Sequence, residues 1–318
     1  MKEEFIIEKP LIELEAKIKE LKELSKNIKA DFSEEIAKLE EKARKLTEEF
    51  YNNLSPWQIV KIARHPNRPQ TLDYINHIFT SFLELHGDYV FADDPAIIGG
   101  LARFEGEPVM IVGHQKGKNT KENLKRNFGM PYPDGFRKAG RLMKLAEKFS
   151  LPIITFIDTP GAYPGIEAEE RGQFSAIARN LFLMSSLATP IIVCVTGEGG
   201  SGGALGIALG DVVLMLEYAI YSVISPEGCA SILWRDAKKA PEAAKSLKLT
   251  AKDLKEFGVI DEMVSEPIGG AHKDFITTAE NLRVSIKKYL SILKNKPLKQ
   301  LLLERYQKYR QIGKFIIN

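Results

Sequence analysis

An apolar run, Pro190-Ile191-Ile192-Val193-Cys194-Val195, opens into Gly197-Glu198-Gly199-Gly200-Ser201-Gly202-Gly203 and then into the small and apolar residues from Ala204 to Leu209. That order predicts a buried strand, a glycine turn and the start of a helix. Glycine lets the backbone turn sharply and lets another group come close. Backbone N–H groups at such a turn can hold a phosphate or an oxyanion. A second segment of the same kind lies upstream: Ile153-Ile154-Thr155-Phe156-Ile157-Asp158, then Thr159-Pro160-Gly161-Ala162-Tyr163-Pro164-Gly165. Two strand-end glycine loops point to a site built from backbone.

The remaining pattern supplies the scaffold. Strand candidates at 109–113, 153–157, 191–195, 211–216 and 220–224 alternate with helical stretches at 136–149, 169–187 and from Gly203, the signature of crossover units around a sheet. A helix is expected from Thr71 to about Leu85, and a hairpin turn at Phe104-Glu105-Gly106-Glu107-Pro108. Further helices are expected over 226–234, 240–257 with Thr250 as a cap, 274–293 and 298–309, with a short strand at 258–264. The main domain is expected to begin near Phe79. Residues 9–51 carry two apolar stripes, Leu11, Leu14, Ile18, Leu21, Leu24, Ile28 and Phe32, Ile36, Leu39, Ala43, Leu46, Phe50. They predict an antiparallel helical hairpin turning near Asn27–Asp31, with Asp31 and Glu34 as a capping box, that packs on the main domain or on another subunit. The domain division is 1–52 for the hairpin and 53–318 for the rest.

The 318 residues carry a formal charge of only +3, which does not demand nucleic acid. Two cysteines, Cys194 and Cys229, stand in apolar or small-residue surroundings and read as core residues rather than a disulfide or metal pair. No run of 18 apolar residues or leader-like segment is visible, so a cytoplasmic protein without a membrane span is expected.

The glycine loop admits three chemistries. A phosphate loop needs GxxxxGK[ST], which is missing; GxGxxG does occur at 197–202, but without an acidic residue suitably placed after a following strand. The elbow pattern GxSxG is present as Gly199-Gly200-Ser201-Gly202-Gly203, and a hydrolase would need one of the five histidines beside Ser201. The third reading is an amide pair that polarises a carbonyl without any acid–base side chain. The run from His114 to Met130 is basic, with Lys116, Lys118, Lys121, Lys125 and Arg126. It reads either as a solvated helix face or as a surface for a phosphate-bearing cofactor. Asp93, Asp94, Glu167, Glu169 and Glu170 form charge clusters without an accompanying histidine, and no metal is assigned.

Several segments in order resemble the carboxyltransferase alpha subunit of bacterial-type acetyl-CoA carboxylase: His86-Gly87-Asp88, 93–100, Gly113-His114-Gln115-Lys116-Gly117, 126–130, 158–165, 197–203 and 225–234. The likeness spans roughly residues 5 to 315. It implies an α/β fold of the crotonase (ClpP-like) superfamily, with repeated ββα units and an N-terminal helical hairpin. It implies transfer of carboxylate from carboxybiotin, held on a biotin carboxyl carrier protein, to acetyl-CoA, giving malonyl-CoA for fatty-acid synthesis. The implied partner is a homologous beta subunit in an α2β2 assembly, with biotin carboxylase in the wider complex. That beta subunit carries a zinc ribbon, which two cysteines here cannot supply. By the resemblance, Gly202 and Gly203 face the ureido carbonyl of carboxybiotin, and Gly161 and Ala162 shape the same pocket. The chain departs from the family pattern at Tyr89, Glu167 and Thr196. A crotonase-like hydrolase or decarboxylase for another acyl-CoA is the alternative; a nucleic-acid role for the basic C-terminal helix is the third.

Overall fold

A computed structural model describes residues 9–28 and 32–313. Its helices are α1 Lys9–Ile28, α2 Ser33–Asn52, α3 Pro56–Ala63, α4 Thr71–Ile78, α5 Thr120–Lys125, α6 Pro133–Lys148, α7 Ile166–Glu170 and α8 Gln173–Ser186. They continue with α9 Ser201–Leu205, α10 Pro226–Trp234, α11 Ala240–Leu247, α12 Ala251–Glu256, α13 Phe275–Lys294 and α14 Leu298–Gln311. The strands are β1 Thr80–Glu84, β2 Ile97–Phe104, β3 Glu107–His114, β4 Ile153–Thr159, β5 Ile191–Gly200, β6 Val212–Leu216, β7 Ile220–Ser222 and β8 Glu262–Val264.

They form one sheet in the order β1-β2-β3-β4-β5-β6-β8, with β7 pairing on the far part of β5. β1, β2 and β3 are antiparallel, and the ladder from β3 through β8 is parallel. β4 is buried along its whole length, and β5 almost so, which is why both read as continuous apolar runs rather than as alternating strands. Helices cover both faces. A Cβ on Gly99 would strike Leu142 of α6, whereas one on Gly113 would strike Thr71 of α4. Gly99 pairs with Val112, so Gly113, one residue on, points to the opposite face.

The β2–β3 turn falls where Glu105-Gly106 placed it, with both residues at positive φ as a two-residue hairpin favours. Other expectations are revised. Residues 80–84, expected to prolong a helix, form β1: Phe79 is extended and ends α4. The helix expected at 169–187 is broken into α7 and α8 by Gly172 in the left-handed region (φ 80°). The one expected at 240–257 breaks at Lys248 (φ 53°), and Thr250 then caps α12 by accepting the Asp253 N–H.

α1 and α2 pack on one another and share the Lys22–Glu40 ion pair at 2.6 Å. Residues 29–31, including the expected Asp31 cap, lie outside the described residues. The pair is fastened to the body: Leu11 and Tyr51 join Ile62 and Tyr218 in a small core, and the Tyr51 hydroxyl donates to the Gly269 carbonyl at 3.1 Å. At the other end, α14 is anchored by buried Arg305. It grips Asp211 through two nitrogens (2.8 Å each) and donates to the carbonyls of Met184, Leu187 and Thr189. A lysine keeps the charge but not the planar fork. Arg305→Lys is therefore expected to cost about 2 kcal/mol, read as a lower urea midpoint at unchanged slope. An unchanged midpoint would mean α14 is held by its apolar face alone.

Candidate functional site

Because β3, β4 and β5 run parallel, their carboxyl ends emerge together. This brings residues 114–116, 158–165 and 197–203 to one edge of the sheet, where open parallel sheets bind ligands. The β4–β5 ladder loses register there. Ile157 pairs with Val195, but the next pair is Thr159 with Gly199. Asp158 fills the interruption: its Oδ1 accepts the Glu198 N–H at 3.0 Å and lies under Gly197. β5 then runs on to Gly200, with 198–200 paired to β7. The glycine segment is thus mostly strand rather than loop. Residues 198–200 of the GxGxxG match are engaged in sheet pairing, which is incompatible with a phosphate cradle.

The turn itself is compressed into Gly200 and Ser201, with Ser201 at φ 45°. Gly202 and Gly203 fall in the first turn of α9, where N–H groups have no intrahelical partner. Gly203 meets the second loop directly. A Cβ there would lie 2.3 Å from the Gly161 carbonyl carbon and 2.6 Å from the Ala162 nitrogen, whereas one on Gly202 would meet only Ile177 Cδ1 at 3.4 Å. The structure therefore brings Gly161, Ala162, Gly202 and Gly203 together. Within this set the Gly161 N–H is taken by Thr159 Oγ1 at 3.1 Å, while the Ala162 N–H has no acceptor among the described residues. Of the Gly161–Ala162 pair expected to shape the pocket, Ala162 carries the open amide and Gly161 provides the close approach.

A chain of alternating charges lies beneath. Lys116 Nζ bridges Asp158 (2.7 Å) and Glu198 (2.8 Å); Arg64 bridges Glu198 and Glu227 (2.6 Å each). Burial by itself would raise the Glu198 carboxyl, but Lys116 and Arg64 outweigh it and hold it at about 2. Burial likewise opposes the Lys116 charge, and the two carboxylates more than offset it, raising its pKa. Alongside, Arg68 forms a fork with Glu266 (2.6 and 3.0 Å) and donates Nε to the Thr196 carbonyl at 2.8 Å.

The basic run divides. Lys116 is committed to this internal network and is not a surface phosphate ligand. Lys118 pairs with Asp73 at 2.5 Å, Arg126 donates to the Pro95 carbonyl at 2.7 Å, and Lys121 and Lys125 are exposed on α5. Of the departures, Thr196 is buried in β5 and Tyr89 is exposed with the Arg141 guanidinium over its ring. Glu167 accepts from the Tyr132 hydroxyl at 3.2 Å. The serine-elbow reading also loses ground: His114, the histidine that reaches the turn, donates Nε2–H to the Gly203 carbonyl at 3.1 Å. Sequence reasoning missed Asp158, Glu198 and Arg64 as a unit. The available signal was a carboxylate at the end of each of two apolar strands, which burial tolerates only when paired. Among the described residues no cluster of three His, Cys, Asp or Glu is placed to hold a metal, and no helix is long and apolar enough to cross a membrane.

Comparison with known proteins bears on the family and on the fold. Residues 4–313 match the family described as acetyl co-enzyme A carboxylase carboxyltransferase-like. The acetyl-coenzyme A carboxylase carboxyl transferase subunit alpha of Geobacter metallireducens is 60% identical over 97% of this chain and 96% of its own; that of Bacillus cereus is 58% identical over 98% and 96%. Among solved structures, transcarboxylase 12S superposes with a TM-score of 0.59 at 19% identity, covering 74% of this chain and 44% of that one. A Pseudomonas malonate decarboxylase hetero-tetramer superposes at 0.56 and 14% identity, covering 67% and 85%. These distant likenesses show a shared α/β fold, and the near-full-length identities establish the family: the chain belongs to the acetyl-CoA carboxylase carboxyltransferase alpha subunits.

Proposed function

We propose that this chain is the alpha half of a carboxyltransferase that moves carboxylate from carboxybiotin on a carrier protein to acetyl-CoA, giving malonyl-CoA. The observation that carries the reading is the fit of Gly203 against Gly161–Ala162: backbone approaches backbone where no side chain has room. The Gly202 and Gly203 amides, with Ala162 beside them, hold the ureido oxygen as negative charge develops on loss of CO2. Preorganised amides of this kind contribute about 10²–10³-fold each. With biotin N1 as acceptor of the acetyl-CoA methyl proton, the enolate so formed would attack the released CO2 to give malonyl-CoA, so no nucleophile from this chain is required. Lys118, Lys121, Lys125 and Arg126 form the basic face offered to CoA phosphates.

The homologous zinc-ribbon beta subunit completes the site by holding the thioester enolate in an α2β2 complex. Carboxyl transfer from carboxybiotin to acetyl-CoA is expected to be absent with this chain alone and to appear on adding that partner, with light scattering giving a 2:2 mass. Full activity from this chain alone would overturn the division of labour. Preferential carboxylation of another acyl-CoA would overturn the substrate.

A further inference from the structure

We propose that His114 is a positioning residue: a neutral imidazole at the end of β3 whose Nε2–H, bonded to the Gly203 carbonyl, fixes the peptide plane that follows Gly203 and so steadies the turn that carries the site's amides. The inference rests on the oxyanion reading of Gly202 and Gly203.

The bond assigns the tautomer. A carbonyl oxygen only accepts, so Nε2 carries the proton and Nδ1 the lone pair. Burial of the whole side chain holds the imidazole pKa down at about 3, so it is neutral at working pH. Nδ1 is buried and makes no hydrogen bond of normal geometry, although the Phe156 carbonyl, like that of Gly203, acts on the imidazole to favour its protonated form against burial. Leaving it so costs stability, a cost that an apolar residue of similar size avoids. The imidazole is therefore placed for its one good bond rather than for core packing.

The bond is made where the backbone most needs it. Glycine leaves peptide planes freer than any other residue, and Gly202 and Gly203 are adjacent. The plane before Gly203 is held by the Gly202 carbonyl, which accepts the Gly206 N–H at 3.1 Å. The plane after it is held by His114. The imidazole is itself anchored: its own carbonyl accepts from the Thr71 hydroxyl, and the next residue's N–H bonds to Ala96 at 2.9 Å. Two residues on, Lys116 grips Asp158 and Glu198. The end of β3 thus clasps both ends of the glycine segment, at 198 and at 203.

The test compares His114→Leu, which removes the donor, with His114→Gln, which restores an N–H, in the complex reconstituted with the partner subunit. Leucine is expected to lower kcat about 30- to 100-fold, at or below the foot of the about 10²–10³-fold range for a removed oxyanion donor because the amide is misaimed rather than lost, with KM for acetyl-CoA nearly unchanged. Glutamine is expected to recover most of the loss. Amide hydrogen exchange over 199–206 in the isolated chain should quicken in the leucine variant and not in the glutamine variant. In the wild-type chain, ¹⁵N NMR should show the neutral Nε2–H tautomer from pH 5 to 8, a readout that does not depend on any variant folding. A cationic or Nδ1–H imidazole, or unchanged exchange in a folded leucine variant, overturns the inference. Quickened exchange with undiminished kcat would instead uphold the clasp and remove the oxyanion reading of Gly203.

Discussion

Replacing Gly203 with valine is expected to abolish carboxyl transfer in the reconstituted complex, a fall of at least about 10³-fold. The first methyl-equivalent already lies 2.3 Å from the Gly161 carbonyl carbon and 2.7 Å from its oxygen. Both are backbone atoms of a loop that cannot rotate aside, so the loop or α9 must move. Either movement separates the Ala162 and Gly203 amides. Overpacking of this kind also costs about 1–3 kcal/mol, so a lower melting temperature should accompany the lost turnover. Gly202→Ala is the milder member of the pair. Its Cβ meets only Ile177 Cδ1 at 3.4 Å and the amide is retained, so the expected fall is below about tenfold. Equal losses for the two variants would show that the Gly203–Gly161 approach is not what shapes the site.

Lys116→Met is expected to destabilise the chain by about 3–5 kcal/mol at neutral pH, because it leaves the Asp158 and Glu198 carboxylates buried with only Arg64 between them and Glu227. The pH dependence follows from the Glu198 carboxyl, held at about 2 against an ordinary 4.5. A depressed carboxyl contributes stability that is full above its unfolded pKa and is lost as pH falls toward the folded one. The wild-type contribution is therefore complete above about pH 4.5 and fades toward pH 2. In the variant Glu198 loses its main cation and its carboxyl rises, so protonation relieves part of the penalty in mild acid. Urea unfolding at pH 7.5 and pH 5 should show the gap between wild type and variant narrowing at the lower pH. A gap that stays constant would mean the lysine acts through its packed methylenes rather than its charge.

The sequence was most legible where local chemistry and tertiary packing agree. The runs at 153–157 and 191–195 are strands because parallel strands buried on both faces strongly favour apolar residues. Glu105-Gly106 is a hairpin turn because both positions need positive φ. It was least legible where a neighbour decides. Residues 198–200 look like loop in isolation, since glycine disfavours strands, yet they are strand because β7 and Thr159 pair with them. Thr80–Glu84 has the spacing of a helix and becomes β1 because β2 presents an edge to it.

The sequence by itself determined the fold family, the two strand-end glycine segments and the absence of a recognisable phosphate loop. These depend on residue type and order, which the sequence alone contains. Only the tertiary structure decided that Lys116 faces inward to Asp158 and Glu198, that Ala162 rather than Gly161 has an amide to offer, and that Gly203 is held by His114. The first and last of these join residues tens of positions apart in the chain. Their partners are set by strand order and register, to which local propensity is blind.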